Sequence, residues 1–235
     1  MPFLIILIFV LVVVLCFAPG AWFKSVEQQH APDRPDFART GGELARHLLD
    51  LAGLDHVRVE VTKWHNYYDP SRKTVWLTHD IKRGRSLTAM ATAAHEVGHA
   101  LQHRDGSWLL IASDKIALIH VLATRIAWML VASSPMALFI WPQLARLQIG
   151  AALLSTGIGA ILHLVTLTVE FDASFGKALP TLDRGNHVPK ADLAAARKIL
   201  RAAAWTYVAA ALRSFIFAAA LFLLIDIFRW FWPSA

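Results

Sequence analysis

The chain has 235 residues, of which 56% are hydrophobic and 17% charged, and its formal net charge is +6 at pH 7. A mean hydropathy of +0.47 is too high for an ordinary water-soluble protein of this length. The composition therefore excludes a soluble globular domain and predicts an integral membrane protein. A single cysteine, Cys16, excludes an intramolecular disulfide. No constellation of basic and aromatic residues indicates nucleic-acid binding.

The first predicted element is a transmembrane anchor over residues 1–23. Phe3 to Phe23 contains no charged residue and is long enough to cross a hydrocarbon layer, which needs about 20 residues. A cleaved signal peptide is the alternative, but the segment lacks a basic N-terminal region and a clear small-residue cleavage site. We therefore expect the anchor to be retained.

Residues 24–115 are the polar part of the chain and are predicted to fold as a small α+β catalytic unit. Thr40 and Glu43 form a capping box at the start of its first helix. Alternating valines predict a strand over 57–61, and a turn over 69–72 joins two further strands.

A motif in the next predicted helix indicates metal chemistry. The sequence HEVGH (95–99) places two histidines four residues apart, on one face of a helix, with a carboxylate between them. Two imidazoles at this spacing can bind one zinc ion, and Glu96 can then act on a water. Apolar residues at three-to-four spacing over 86–104, with no proline, predict the helix that this chemistry needs. A buried helix with two ordinary histidines is the alternative.

Zinc needs a third protein ligand besides His95 and His99. His103 would lie about 12 Å along the helix from His95, which is too far to close the same tetrahedron. Asp105 follows at a spacing at which some zinc enzymes return to the metal, but Gln102 stands in the place of the glycine that they usually need.

The stretch 169–174 offers two further carboxylates, Glu170 and Asp172, directly after an apolar run. A carboxylate in this position is either an interfacial charge or a ligand. On a helix the two residues are about 200° apart, so only one of them can face the histidines. The sequence pattern alone barely distinguishes Glu170 from Asp172 as the third ligand.

Two apolar stretches between the motif and these carboxylates predict a transmembrane helical hairpin over 116–169. A turn from Pro142 to Gln148 separates the two spans. Two spans return the chain to the side from which it left, so Glu170 is expected on the side that carries the zinc motif.

The remaining sequence is predicted as two segments. Residues 170–204 contain the candidate third ligand and an amphipathic helix. Residues 205–235 are predicted as a C-terminal transmembrane helix.

Several blocks of sequence carry a family resemblance. In chain order they are Tyr68 to Pro70 with Thr74 to Leu77, Gly84 to Ser86, HEVGHALQH (95–103), Val169 to Ser174 and Thr206 to Leu212. They resemble the YugP-like membrane-bound neutral zinc metallopeptidases. The resemblance implies a gluzincin-type peptidase in which His95, His99 and Glu170 bind Zn2+ and Glu96 is the general base. Asp172 would then orient a ligand histidine without binding the metal itself.

These observations together predict an integral membrane α-helical protein with about four transmembrane helices and a small α+β zincin-like catalytic unit. Its partners are the lipid bilayer and a peptide or protein substrate, with membrane proteins among the candidates, and no nucleic acid. In gluzincin-like sites an edge strand pairs with extended substrate, so Asn66, Tyr67 and Tyr68 are candidate substrate-binding residues. An ordinary aromatic hairpin is the alternative.

Basic residues near the predicted spans give an orientation. The side with the zinc motif carries most of them, whereas the opposite side has essentially Arg146 and Arg229. The positive-inside rule then places the catalytic side in the cytoplasm and both termini outside, in a multi-pass protein of the cell (inner) membrane.

A membrane scaffold and a transporter are the alternative functional classes. A catalytically silent zinc-binding membrane scaffold has no need for Glu96, because structural zinc sites close their fourth position with protein ligands. A transporter would use Arg125, His163 and Arg213 as pathway residues, but it should show repeated halves, and the sequence has no internal repeat.

Overall fold

The computed structural model describes residues 2–231, and most of them are helical. The α-helices in chain order are α1 (Pro2–Gln29), α2 (Gly41–Leu51), α3 (His79–Arg83), α4 (Leu87–Arg104), α5 (Trp108–Ile140), α6 (Pro142–Phe171), α7 (Leu179–Arg184) and α8 (Leu193–Phe231). A π-helical segment, Asp172–Ala178, joins α6 to α7, and a 3₁₀ turn, Lys190–Asp192, precedes α8.

Within residues 2–231, four helices are long and apolar enough to cross a membrane. The candidate spans are Val10–Gln29, Val121–Ile140, Pro142–Arg184 and Lys190–Leu223. The predicted fold class, a membrane protein with about four spans and a small α+β unit, is confirmed. Residues 232–235 of the predicted C-terminal span lie outside the described residues.

The predicted turn from Pro142 to Gln148 is wrong, because α6 already begins at Pro142. Proline fits the first turn of a helix, since its fixed φ is helical and its missing N–H would have no intrahelical partner there. The backbone N–H of Leu144 donates to the carbonyl of Trp141 at 2.9 Å, so the helix forms at once after this residue. The polar residues that suggested a loop lie on the first turns of the helix instead.

The described strands of the polar unit form one three-stranded sheet. They are β1 (Arg58–Thr62), β2 (Tyr67–Asp69) and β3 (Thr74–Thr78), in the order β1-β3-β2. β1 pairs parallel to β3, and β2 pairs antiparallel to it. The turn between β2 and β3 is closed by Asp69, whose carboxylate accepts from the Arg72 N–H at 2.9 Å, and Lys73 then takes a φ of 48°. β2 is therefore an edge strand of the sheet.

Helix α2 begins with the predicted capping box. The Glu43 N–H donates to the Thr40 hydroxyl at 3.2 Å, and the Glu43 carboxylate accepts from the Thr40 N–H at 2.7 Å. Its apolar face, with Leu44, Leu48 and Leu49, is buried in the core that it shares with α4. The zinc-motif helix is thus held from one side by a capped amphipathic helix.

The described residues fall into two compact units. One comprises residues up to 111 together with 167–206, and it contains the sheet, α4 and the π-helical segment. The other is built from the helical stretches 112–166 and those after 206, and its buried apolar cluster includes Ala127, Ile149, Ala152 and Leu221. All candidate site residues lie in the first unit.

Candidate metal centre

Helix α4 positions both histidines of the motif. Its N-cap is Ser86, whose hydroxyl accepts from the Ala89 N–H at 3.0 Å. One turn of helix separates His95 from His99, and their ring centroids are 4.7 Å apart with the planes nearly perpendicular. The His99 residue is buried and His95 is nearly so, as expected on the packed side of the helix.

Glu170 comes to these histidines from the end of α6. Its Oε2 atom lies 3.1 Å from Nε2 of His95 and 3.6 Å from Nε2 of His99. Ligand atoms of the three residues all lie within 4.8 Å of one another. The structure therefore brings together the three residues that the resemblance implied, across more than 70 positions of sequence.

The donor set fits a zinc ion. Two neutral imidazole nitrogens and one carboxylate oxygen are zinc ligands of the kind found in catalytic sites, which leave the fourth position open. Oε2 of Glu170 is buried and makes no hydrogen bond within the described part of the chain. A buried carboxylate oxygen without a donor is costly, and a cation at this point removes that cost.

Gln102 fixes the orientation of His99. Its Nε2 donates to the backbone carbonyl of Val169 at 2.8 Å and to the carboxylate of Asp172 at 2.7 Å. Because both partners are acceptors, the amide oxygen must face His99, where Nδ1 lies at 3.0 Å. Nδ1 of His99 then carries the proton and donates, which leaves the lone pair of Nε2 directed at Glu170.

The π-helical segment holds the other histidine. The hydroxyl of Ser174 lies 3.1 Å from Nδ1 of His95, and Ser174 is buried. The backbone of this segment also approaches α4 closely, since a Cβ at Gly98 would lie 2.7 Å from the carbonyl oxygen of Ala173. The glycine in the motif thus permits the close contact that brings Ser174 to His95 and Asp172 to Gln102.

Burial and neighbouring charges set the protonation of the site. Glu96 is the residue after His95 on α4, and its burial raises the pKa of its carboxyl group. Burial lowers the pKa of His99, but the neighbouring carboxylates of Glu170 and Glu96 outweigh this effect and raise the pKa to about 9. The carboxylates of the site therefore attract a cation, whether a proton or a metal ion.

Two other third-ligand candidates lie elsewhere. Asp105 accepts a hydrogen bond from Nζ of Lys177 at 2.6 Å, and it caps the C-terminus of α4. Nδ1 of His103 lies 2.8 Å from the hydroxyl of Tyr68. Among the described residues, neither belongs to a cluster able to hold a metal ion.

The candidate substrate-binding residues all lie at or beside β2. Tyr68 is buried against α4 through its bond to His103. The Tyr67 ring stacks on Trp76, with centroids 6.2 Å apart. The side-chain oxygen of Asn66 accepts from the Thr78 N–H at 2.7 Å. Their side chains thus support the edge strand, whose backbone has a strand neighbour on one side only.

Sequence reasoning missed Gln102 and Ser174. It noted Gln102 only as the residue that replaces a glycine, although its position three residues after His99 puts it on the same face of the helix. Ser174 stood inside a recognised block without a role. Asp172, expected to orient a histidine, reaches His99 through Gln102.

The comparisons with known proteins agree with this geometry. A family model described as "Putative neutral zinc metallopeptidase" matches residues 5–227. The chain is 35% identical over 193 residues to the "Putative membrane protease YugP" of Bacillus subtilis (strain 168), a match that covers 81% of this chain and 83% of the relative. No solved structure matches the chain.

Proposed function

The chain belongs to this family of neutral zinc metallopeptidases, and from that premise we propose that it is a zinc-dependent metalloendopeptidase with its site on α4. His95, His99 and Glu170 hold the zinc, and Glu96 is the general base. The observation that supports this most is the convergence of the three ligand atoms within 4.8 Å.

In the proposed reaction the metal activates the carbonyl and the water, and the chain transfers the proton. Bound by His95, His99 and Glu170, a zinc ion would polarise the scissile carbonyl and make a water nucleophilic near neutral pH. Glu96 takes the proton of the attacking water as the new C–O bond forms. It then gives that proton to the amine nitrogen as the C–N bond breaks, so the carboxylate is regenerated.

We infer that the peptide substrate pairs with β2 through backbone hydrogen bonds, in the manner of an added strand. On the opposite edge strand, β1, the carbonyl of Val59 already accepts a hydrogen bond from Nζ of Lys82 at 2.9 Å. β2 instead lies beside α4, to which Tyr68 binds it. Asn66 and Tyr67 then fix the position of this edge next to the zinc ligands.

The zinc content of two variants tests the ligand set. Glu170→Ala removes a ligand and should purify without stoichiometric zinc. Asp172→Ala removes a carboxylate that accepts from Gln102 and lies outside the group of candidate ligands, so it should retain zinc with an affinity reduced about 10–100-fold. The reverse pattern would move the third ligand to Asp172 and leave Glu96 as the base.

A catalytically silent zinc-binding scaffold is the alternative function. It would need the same three ligands, but it has no use for the buried carboxylate of Glu96 beside them. We place the protein in the cell (inner) membrane, with the catalytic unit on the cytoplasmic side, because basic residues are concentrated near that end of its spans.

A further inference from the structure

A basic groove lies between α7 and the first turns of α8. It encloses about 370 Å³, with Leu179 and Leu193 on its apolar side. Its charged lining consists of Arg197, Lys198, Arg201 and one acid, Asp183. The groove therefore combines an apolar surface with an excess of two positive charges.

The two arginines of the groove project to solvent. Arg197 and Arg201 are exposed and stand four residues apart, which places them on the same face of α8. Within residues 2–231, no ion pair is formed by either of them, whereas nearby Asp192 pairs with Arg34 at 3.0 Å. Their charge is thus available to an anion.

The sequence of α8 sets the depth of this groove relative to the membrane. Between Arg201 and Asp226 there are 24 residues (202–225), and Arg213 is the one charged residue among them. At 1.5 Å per residue they span about 36 Å, slightly more than the hydrocarbon thickness of about 30 Å. Arg201 therefore lies at the level of the lipid headgroups.

Helix α1 gives the same depth independently. Nζ of Lys198 lies 3.2 Å from the side-chain oxygen of Gln29, at the end of α1. In both helices a tryptophan lies seven residues from this contact, toward the apolar stretch of the helix. It is Trp22 in α1, counted from Gln29, and Trp205 in α8, counted from Lys198. Tryptophan prefers the boundary between headgroups and hydrocarbon, so the groove lies about one to two turns of helix above that boundary.

We propose that this groove binds the phosphate headgroup of an anionic phospholipid. Arginine presents a planar fork of donors that matches phosphate oxygens, and two such forks face the same space here. This lipid site is separate from the zinc ligands and goes beyond the proposed peptidase activity.

Native mass spectrometry of the full-length protein in detergent tests the site. Phosphatidylglycerol and phosphatidylcholine of identical acyl chains are added at equal concentration, and retained lipid is counted. We expect preferential retention of phosphatidylglycerol. Because each basic residue near an anionic headgroup strengthens binding about fivefold, R197Q/R201Q should reduce that preference about 25-fold.

Two variants keep the result interpretable. K63Q/R72Q removes two exposed charges from the loops of the sheet and should leave the preference unchanged. Asp183→Asn removes the acid of the groove and should increase phosphatidylglycerol retention, which a misfolded variant would not do. Equal retention of both lipids by the parent, or equal effects of R197Q/R201Q and K63Q/R72Q, would overturn the proposal.

Inorganic phosphate distinguishes a lipid from a soluble anion. Added in the concentration range of the lipid, it should not displace phosphatidylglycerol, since it lacks the acyl chains that anchor the lipid in the detergent micelle. Displacement at equal concentration would overturn the assignment of a lipid to this groove.

Discussion

The side-chain oxygen of Gln102 lies 3.0 Å from Nδ1 of His99. Gln102 is buried, and its amide nitrogen donates to Val169 and Asp172, which lie 67 and 70 positions later in the sequence. The orientation of one candidate zinc ligand is therefore fixed by the segment that supplies another.

Gln102→Met should weaken zinc binding without removing a ligand. The variant keeps the volume of the side chain but loses the acceptor for His99, so the imidazole can rotate or change tautomer. Loss of such a partner typically costs about 10–100-fold in metal affinity. Competition with a chelator measures it, and Gln28→Met, at an exposed position on α1, is the control. An affinity equal to that of the parent would show that packing alone orients His99.

Gly98→Ala should separate α4 from the π-helical segment. Alanine favours a helix by about 1 kcal/mol over glycine, but here its Cβ would meet the carbonyl oxygen of Ala173 at 2.7 Å. We expect lower zinc content and a lower melting temperature in detergent. Gly157→Ala is the matched control, because in the described part of the chain nothing beyond the neighbouring helix backbone lies within 4 Å of its added methyl group. If both variants are equally stable and loaded, the close contact has no role in the site.

The pair formed by Asp105 and Lys177 should stabilise the protein in a pH-dependent way. Hydrogen bonds from Lys177 and Arg104 lower the pKa of Asp105 below its ordinary value. A carboxyl with a lowered pKa contributes stability above its unfolded pKa of about 3.9, and this stability is lost as the pH falls through the folded pKa.

Asp105→Asn should therefore lower the melting temperature at pH 7, and the difference from the parent should vanish as the pH falls through the lowered pKa of Asp105 in the folded protein. Scans with a chelator present remove the contribution of zinc release at acid pH. In a cycle with Lys177→Met, the two changes should not be additive. A difference that is constant over the whole pH range would assign the effect to something other than the charge of Asp105.

The sequence predicted the candidate zinc ligands better than the side chains that hold those ligands in place. Histidines four residues apart on a helix and a capping box are local patterns, so His95, His99 and the start of α2 follow from spacing alone. The partners of the histidines are tertiary contacts, and Gln102 meets Asp172 across 70 positions. The π-helical turn has no local signature, because it depends on the close approach of Ala173 to Gly98. The prediction of a turn from Pro142 to Gln148 was wrong because a proline that follows the end of one helix can also begin the next.

Labelling of single cysteines should place the catalytic unit on one side of the membrane. In a Cys16→Ala background, cysteines at the exposed positions Ser71 and Arg184 should react with an impermeant reagent from the same side, which we expect to be the cytoplasm. Leu147→Cys, at the start of α6, should react from the other side. If Arg184→Cys were labelled from the same side as Leu147→Cys, the chain would not return across the membrane after two spans. Glu170 would then lie on the wrong side to reach the histidines.

Zinc content and peptide cleavage, measured together on the detergent-purified parent and its Glu96→Gln variant, test whether Glu96 is the general base of a zinc peptidase. The amide can still hold a water by hydrogen bonding but cannot accept its proton. We expect one zinc per chain in both proteins and a cleavage rate reduced by at least about 10²–10⁴-fold in the variant. Equal cleavage by both proteins would contradict Glu96 as general base, and stoichiometric zinc without cleavage by the parent would favour the silent scaffold.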